Sequence, residues 1–214
     1  MVVSRLVILL MFTVLIAGCI TAGNNQIQNP PVQNVSGGFD YDNYRVPAGD
    51  NATPLLFPSP IIRSPMPYYI YNDSEINAYK YNVTLTNLRI AFDAWENATK
   101  EKAKFYQAFS KQENGIIVKL VPNLQNDTIG EATSLFYKRN GYTLVVGGEM
   151  EIEPIFGGSE NRVLLIHEIG HIMGFAHSLN SHSVMYPWNA YSQVITDDIL
   201  ETLDNIYANV PLAV

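Results

Sequence analysis

Three shortages in the sequence exclude whole classes of protein. The 214 residues include one cysteine, Cys19, so neither an intrachain disulfide nor a cysteine-rich zinc module can form. Lysine and arginine total 13 against 20 aspartates and glutamates, and the net charge of -7 argues against a surface that binds nucleic acid. Histidine is also scarce, with four in the chain, and all lie between His167 and His182. The length suits one ordinary domain and a tail.

The N-terminus carries an apolar run that is too short to be a membrane-spanning helix. Arg5 precedes an apolar stretch over residues 6–18, an order that is typical of a secretory signal. A span needs about 20 apolar residues. The small residues before Cys19 resemble the lipobox of prokaryotic lipoproteins, which implies a signal peptide over 1–18 and a lipid on that cysteine. An uncleaved anchor and a secreted form are the alternatives. We therefore expect an extracytoplasmic protein, either anchored to the membrane at the cell surface or secreted.

The next segment has the composition of a tether. Eight of the 12 prolines fall between Pro30 and Pro67, among Asn, Gln, Gly and Ser. Such a composition buries too little apolar surface to order itself, and it predicts a linker over 19–60 before a domain at 61–214. Acceptor triplets for N-glycosylation favour a surface protein, and they begin at Asn34, Asn51, Asn72, Asn82, Asn97 and Asn126.

The domain alternates strand and helix patterns without a regular rhythm or repeat. Apolar periodicity predicts helices over 85–103 and 163–173, and Thr196 is a suitable N-cap for a last helix. β-favouring runs predict strands at 68–71, 116–121, 129–137, 142–146 and 149–153. This mixture favours an α/β or α+β fold with one sheet.

The histidines form one chemical pattern. His167 and His171 are four residues apart, so both rings project from one face of a helix and can bind one ion. Gly174 can end the helix in a left-handed conformation, after which the chain returns with His177. Three neutral imidazoles suit Zn²⁺ with one position left for water, and Glu168 can take that water's proton. Three buried histidines satisfied by other hydrogen bonds are the alternative, although unpaired burial would be costly.

Residues 167–177 fit H-E-x-x-H-x-x-G-x-x-H, and a methionine follows within Ser183-Val184-Met185-Tyr186-Pro187. In these features the chain resembles the metzincin metallopeptidases. The resemblance implies a zincin-like fold with one twisted mixed sheet, a long helix, an active-site helix and a C-terminal helix. It also implies one catalytic zinc, bound by the three histidines over an apolar floor that Met185 forms.

Further residues resemble the matrixins, the matrix metalloproteinase family. Ser178 follows the third histidine, the segment 91–96 resembles the A-F-x-x-W part of the matrixin long helix, and 195–199 resembles its last helix. By this resemblance Tyr186 and Pro187 line the substrate pocket. Three features depart from the family: no cysteine is placed to silence the zinc, too few histidines remain for a second zinc, and the pocket wall P-x-Y is missing.

Three weaker features remain. Glu149, Glu151 and Glu153 share one strand face, which fits either a Ca²⁺ site or a solvated charged face. His182 is expected in a loop near the cleft. The strand at 129–137 is a candidate edge for pairing with extended substrate, or an ordinary strand.

Together these features predict a monomeric extracytoplasmic zinc endopeptidase that acts on proteins or peptides, with Glu168 as general base and a membrane anchor at the N-terminus. No nucleic-acid partner is expected. A surface-tethered zinc-binding or adhesion module without turnover and an amidase acting on cell-wall peptides are the alternatives.

Overall fold

The computed structural model describes residues 12–16, 52–72, 75–124, 128–139, 142–154, 158–188 and 193–208. Of the signal-like segment it covers Phe12–Ile16 alone, and Cys19 lies outside the described residues. Among the described residues, no helix combines the length and apolar content that a membrane crossing requires.

One mixed sheet and three helices make up the described chain, which confirms the predicted fold class. The strands are β1 (Phe12–Ile16), β2 (Pro60–Ile62), β3 (Met66–Asn72), β4 (Phe105–Gln107), β5 (Ile116–Leu120), β6 (Gly130–Arg139) and β7 (Tyr142–Ile152). The helices are α1 (Ala78–Ala98), α2 (Gly158–Ile172) and α3 (Asp197–Tyr207).

The strand order is β1-β6-β7-β5-β3-β4, with β2 also paired to β7. Pairs among β2, β3, β4, β5 and β7 are parallel, whereas β6 runs antiparallel to both β7 and β1. The strand predicted at 129–137 is therefore the last strand of the domain on its side of the sheet. Beyond it lies Phe12–Ile16 from the N-terminal segment, in register with Ala132–Phe136.

Helices α1 and α2 bury apolar side chains between themselves and the sheet. On α1 the rings of Phe92 and Trp95 are buried, and Phe92 stacks on Tyr68 of β3 with centroids 4.2 Å apart. The indole Nε1 of Trp95 donates a hydrogen bond to the backbone carbonyl of Ile166 on α2, at 2.9 Å. This bond fixes α2 against the long helix, so that the following residues of α2 occupy a defined position.

Several helices and strands begin or end at residues other than those predicted from the sequence. Helix α1 begins earlier than expected because the side chain of Asn77 caps it by accepting a hydrogen bond from the Lys80 amide. It ends at Ala98, because Lys100 and Glu101 adopt left-handed backbone conformations that a helix cannot continue through. The two strands predicted at 142–146 and 149–153 are one strand, β7.

The chain packs onto the domain before residue 61. Leu56 and Phe57, which fall in the predicted linker, are buried in the core. The Leu56 amide donates to the Gly174 carbonyl at 2.8 Å, and the Ala176 amide donates to the Pro54 carbonyl at 2.8 Å. The predicted linker thus ends too late, because its last residues form a small ladder with the chain just after α2.

Candidate metal centre

Helix α2 carries the first two histidines. His167 and His171 lie one turn apart, both completely buried, with ring centroids 4.6 Å apart and planes nearly perpendicular. Their Nε2 atoms are 3.0 Å apart. The spacing predicted from the sequence is therefore realised on one face of the helix.

A left-handed glycine brings the third histidine to the other two. Gly174 has φ +97°, a conformation that other residues rarely adopt, and it ends the helix as predicted. The chain then returns, with its backbone held by Pro54 and Leu56, so that His177 faces the pair. One ring nitrogen from each histidine lies within 4.8 Å of the others.

The hydrogen bonds of the first two rings select the tautomer that binds a metal. His167 Nδ1 donates to the Val184 carbonyl at 2.7 Å, and His171 Nδ1 donates to the Phe175 carbonyl at 2.8 Å. A carbonyl oxygen can only accept, so each Nδ1 carries the proton and each Nε2 presents a lone pair. Two lone pairs that face each other at 3.0 Å repel unless a cation lies between them.

Burial keeps the three rings neutral. It is the main cause that lowers the pKa of His167 well below its usual value, that of His171 to about 3, and that of His177 to about 4. His177 Nε2 is buried without a hydrogen-bond partner among the described residues. Three neutral imidazoles whose ring nitrogens converge, one of them with an unsatisfied nitrogen, are the donor set that Zn²⁺ prefers, so the residues fit this ion.

Glu168 follows the first histidine on α2. Its side chain is completely buried, and neither carboxylate oxygen has a hydrogen-bond partner among the described residues. Burial, with a smaller contribution from the Glu131 carboxylate, raises the pKa of Glu168 well above its usual value. A carboxyl group in such surroundings readily accepts and holds a proton.

The methionine of the motif packs against α2. Met185 is completely buried, and a Cβ on Gly170 would lie 2.3 Å from its Sδ, so the glycine leaves room for the sulfur. The Met185 carbonyl accepts a hydrogen bond from the Ser178 amide at 2.8 Å. This bond joins Met185 to the residue that follows His177. The segment 183–185, called here the methionine turn, is thus held next to the third histidine.

The remaining candidates differ in position. Tyr186 and Pro187 follow the turn and are half-exposed, so their side chains stay accessible, while the predicted substrate pocket remains a prediction. His182 is exposed in the loop before the turn. Trp188 is 47% exposed, and its carbonyl accepts a hydrogen bond from Gln193 Nε2 at 2.6 Å.

The acidic strand face holds its own cation. Lys119 of β5 forms ion pairs with Glu149 and with Glu151, the latter at 2.9 Å. Hydrogen bonds with Glu149 and then Glu151 raise the pKa of Lys119. Glu153 accepts a hydrogen bond from the Leu124 amide at 3.1 Å. The three carboxylates, which by sequence fit either a calcium site or a solvated charged face, thus all have protein partners, and a calcium site here is not confirmed.

The sequence reasoning missed the segment that holds the loop bearing His177. Leu55 forms an isolated bridge with Phe175, and Leu56 and Phe57 fill the core behind it. The apolar triplet between Pro54 and Pro58 was the available signal, but the surrounding prolines masked it.

Comparisons with known proteins agree with the motif. Residues 153–208, which include α2, the segment around Met185 and all of α3, match the sequence profile of the family Matrixin. A search of curated protein sequences found no match.

Two solved structures are similar in part. Metalloproteinase-II from Bacteroides fragilis matches with a TM-score of 0.44 and 13% identity over 71% of this chain. High choriolytic enzyme 1, a hatching enzyme zinc-protease from the medaka fish Oryzias latipes, matches with a TM-score of 0.30 and 17% identity over 66% of this chain. The chain covers 54% of the first protein and 53% of the second, about half the length of each.

Proposed function

Because the chain carries a matrixin-like domain of the zinc metalloprotease type, we propose that it is an extracytoplasmic zinc endopeptidase that acts as a monomer on proteins or peptides. One observation carries the proposal. Three imidazoles, two completely buried and one half-buried, bring one ring nitrogen each within 4.8 Å of the others, and the residue after the first of them has a buried carboxyl group without a partner among the described residues.

His167, His171 and His177 would hold the zinc. When bound, zinc supplies a Lewis acid that polarises the scissile carbonyl and makes a water molecule far more acidic. The Nδ1 bonds to the Val184 and Phe175 carbonyls orient two of these rings before any ion arrives. Since the rings are buried and neutral, they need lose no proton at neutral pH to bind a metal.

Glu168 is the general base. Its carboxylate accepts a proton from the attacking water and then donates that proton to the nitrogen of the leaving amine. The raised pKa supports the second step, because a carboxyl group that binds its proton more tightly still carries it when the amine leaves.

Substrate binds as an extended strand along β6. The outer edge of β6 already pairs antiparallel with the extended segment Phe12–Ile16, which supports the ability of this edge to accept a further strand. Tyr186 and Pro187, half-exposed after the methionine turn, are the proposed pocket residues for one substrate side chain.

Replacement of Glu168 by Gln tests the proposed function. The amide keeps the size of the side chain but cannot accept the proton, so cleavage of casein or gelatin should fall by about 100- to 10,000-fold while zinc content stays at one ion per chain. Unchanged cleavage would contradict the proposal. A wild-type chain that holds zinc and cleaves no protein would favour an adhesion module, and cleavage confined to cell-wall peptides would favour an amidase.

The membrane anchor has a separate test. We propose that Cys19 is lipidated after removal of residues 1–18. The wild-type protein should then fractionate with membranes and carry a lipid mass on its N-terminal peptide, whereas a Cys19→Ala variant should carry none. A wild-type N-terminal peptide without lipid would contradict this part of the proposal and leave the catalytic part intact.

A further inference from the structure

The start of strand β6 passes directly beside the carboxyl group of Glu168. A Cβ added to Gly130 would lie 2.6 Å from Glu168 Oε1 and 3.1 Å from its Cδ. It would also lie 2.7 Å from Leu164 Cδ1, one helical turn before Glu168. Gly130 is not in a left-handed conformation, so the backbone does not demand a glycine at this position. Glycine is needed at position 130 because a larger residue has no room beside Glu168 and Leu164.

The carboxyl group has little else to fix its position. Neither oxygen of Glu168 has a hydrogen-bond partner among the described residues, although the side chain is completely buried. Its place is therefore set by the atoms that pack around it. On the side of β6, those atoms are the bare backbone of Gly130.

We propose that Gly130 is a positioning residue for the reaction: its missing side chain forms the slot in which the Glu168 carboxylate lies next to the histidine cluster. The inference rests on the proposed function, in which Glu168 is the general base. A methyl group at position 130 fills the slot and displaces the carboxylate. Misplacement of a reacting group by about 1 Å can cost about 100-fold in rate.

Gly147, on the adjacent strand β7, provides a matched contrast. A Cβ on Gly147 of β7 would lie 2.2 Å from the backbone oxygen of Gly115, and backbone atoms can give way only if the sheet distorts. At Gly130 the atoms that must move are the ends of the Glu168 and Leu164 side chains, which can rotate. One added methyl group should thus affect catalysis at position 130 and stability at position 147.

The experiment compares Gly130→Ala and Gly147→Ala in the full chain. For Gly130→Ala we expect wild-type zinc content, a melting temperature lowered clearly less than in Gly147→Ala, and a kcat on a fluorogenic peptide lowered by about 100-fold with little change in KM. For Gly147→Ala we expect a clearly lower melting temperature and wild-type kcat per folded, zinc-loaded molecule. A crystal structure of Gly130→Ala should show the Glu168 carboxylate displaced from its wild-type position.

A second variant keeps the test decisive. Glu168→Asp withdraws the carboxylate from the slot, so adding Gly130→Ala to it should cost far less than the same change costs in wild type. An equal loss in both backgrounds would overturn the positioning role, as would full kcat in Gly130→Ala. A loss of zinc or melting temperature in Gly130→Ala as large as that in Gly147→Ala would also overturn it.

Failure of this inference can be told apart from failure of the proposed function. If Glu168→Gln retains wild-type turnover, Glu168 is not the base and both ideas fall. If Glu168→Gln abolishes turnover and Gly130→Ala does not change it, the base assignment stands and the role of Gly130 falls alone.

Discussion

The hydroxyl group of Ser134 donates a hydrogen bond to the backbone carbonyl of His171, with 2.9 Å between the two oxygens. Ser134 lies in the middle of β6 and is completely buried, and the carbonyl belongs to the last turn of α2. Carbonyls in the last turn of a helix have no partner within the helix and need one from elsewhere. A strand residue thus caps the active-site helix at the turn that carries the second histidine.

Ser134→Ala should lower the free energy of unfolding of the zinc-free protein by about 1 kcal/mol, the typical net value of one buried hydrogen bond. The loss stays moderate because the same carbonyl also accepts a hydrogen bond from the Gly174 amide. Urea unfolding measures it. Thr133→Ala, on the opposite face of β6, is the matched control, and an equal loss in that variant would refute the specific role of the cap.

The site was more predictable than the sheet because its signal is local. His167, Glu168 and His171 lie within five consecutive positions, and a helix converts that spacing into one face. Gly174 has the left-handed conformation that the turn requires. Close approach between distant segments leaves no such local pattern. The contacts of Ser134 and Gly130 with α2 join residues more than thirty positions apart, and single side chains carry no sign of them.

Gly147 and Gly148 show why the strand boundaries could not be predicted. Two successive glycines are typical of a turn, and the strands predicted at 142–146 and 149–153 lie on either side of them. Both lie within one continuous strand. Neither position has room for a side chain: a Cβ at Gly147 would lie 2.2 Å from Gly115 O, and one at Gly148 would lie 2.4 Å from Ile172 Cδ1. These glycines allow close packing of β5 and α2 onto β7, a tertiary cause that local propensity does not register.

The buried histidines make the zinc-free protein sensitive to acid. Their pKa in the unfolded chain is near 6.5, whereas burial lowers the pKa of His171 to about 3 and of His177 to about 4 in the fold. Between these values the unfolded state binds protons at the histidines that the folded state does not. Glu168, whose pKa burial raises, has the opposite effect but involves one proton against three, so the free energy of unfolding falls as pH falls. The loss should begin near pH 6.5 and continue to about pH 3.

Urea unfolding of chelator-treated protein from pH 7 to about pH 4.5 measures this slope. His177→Ala should flatten it, because one of the protons is no longer taken up on unfolding. His182→Ala, at an exposed position outside the cluster, is the control and should keep the wild-type slope. A stability of the zinc-free protein that stays constant over this range would contradict the prediction.

Calcium should have no effect on the acidic face of the sheet. Because Lys119 pairs with both Glu149 and Glu151, a calcium ion would have to displace an ammonium group that already neutralises part of their charge. Millimolar calcium should leave the melting temperature of the wild-type protein unchanged. Lys119→Met should cost about 0.5–1 kcal/mol, since the ion pairs are partly exposed.

The calcium response of Lys119→Met shows which result would contradict this prediction. Lys119→Met leaves Glu149 and Glu151 without their cation, so calcium should raise the melting temperature of this variant more than that of wild type. A calcium-dependent rise in the wild-type protein that Lys119→Met does not enlarge would point to a site elsewhere in the chain and would contradict the role assigned to Lys119.

For Gly170→Ala, helix propensity and core packing predict opposite changes in the free energy of unfolding. Replacing glycine by alanine inside a helix normally stabilises it by about 1 kcal/mol. At position 170 the new Cβ would lie 2.3 Å from Met185 Sδ and 3.0 Å from Trp95 Cζ2, in a fully packed core. We therefore expect Gly170→Ala to destabilise the zinc-free protein by about 1–3 kcal/mol, the usual cost of overpacking.

Met185→Ala supplies the second half of the test. Alone it should cost about 2–5 kcal/mol through the cavity it leaves. Combined with Gly170→Ala, the loss should be smaller than the sum of the two single losses by at least about 1 kcal/mol, because the added methyl group occupies part of that cavity. Asp93→Ala, an exposed alanine substitution in α1, controls for helix propensity. Urea unfolding of the four variants measures the coupling. Strict additivity, or a Gly170→Ala variant more stable than wild type, would show that the methionine does not pack against the helix between the two histidines.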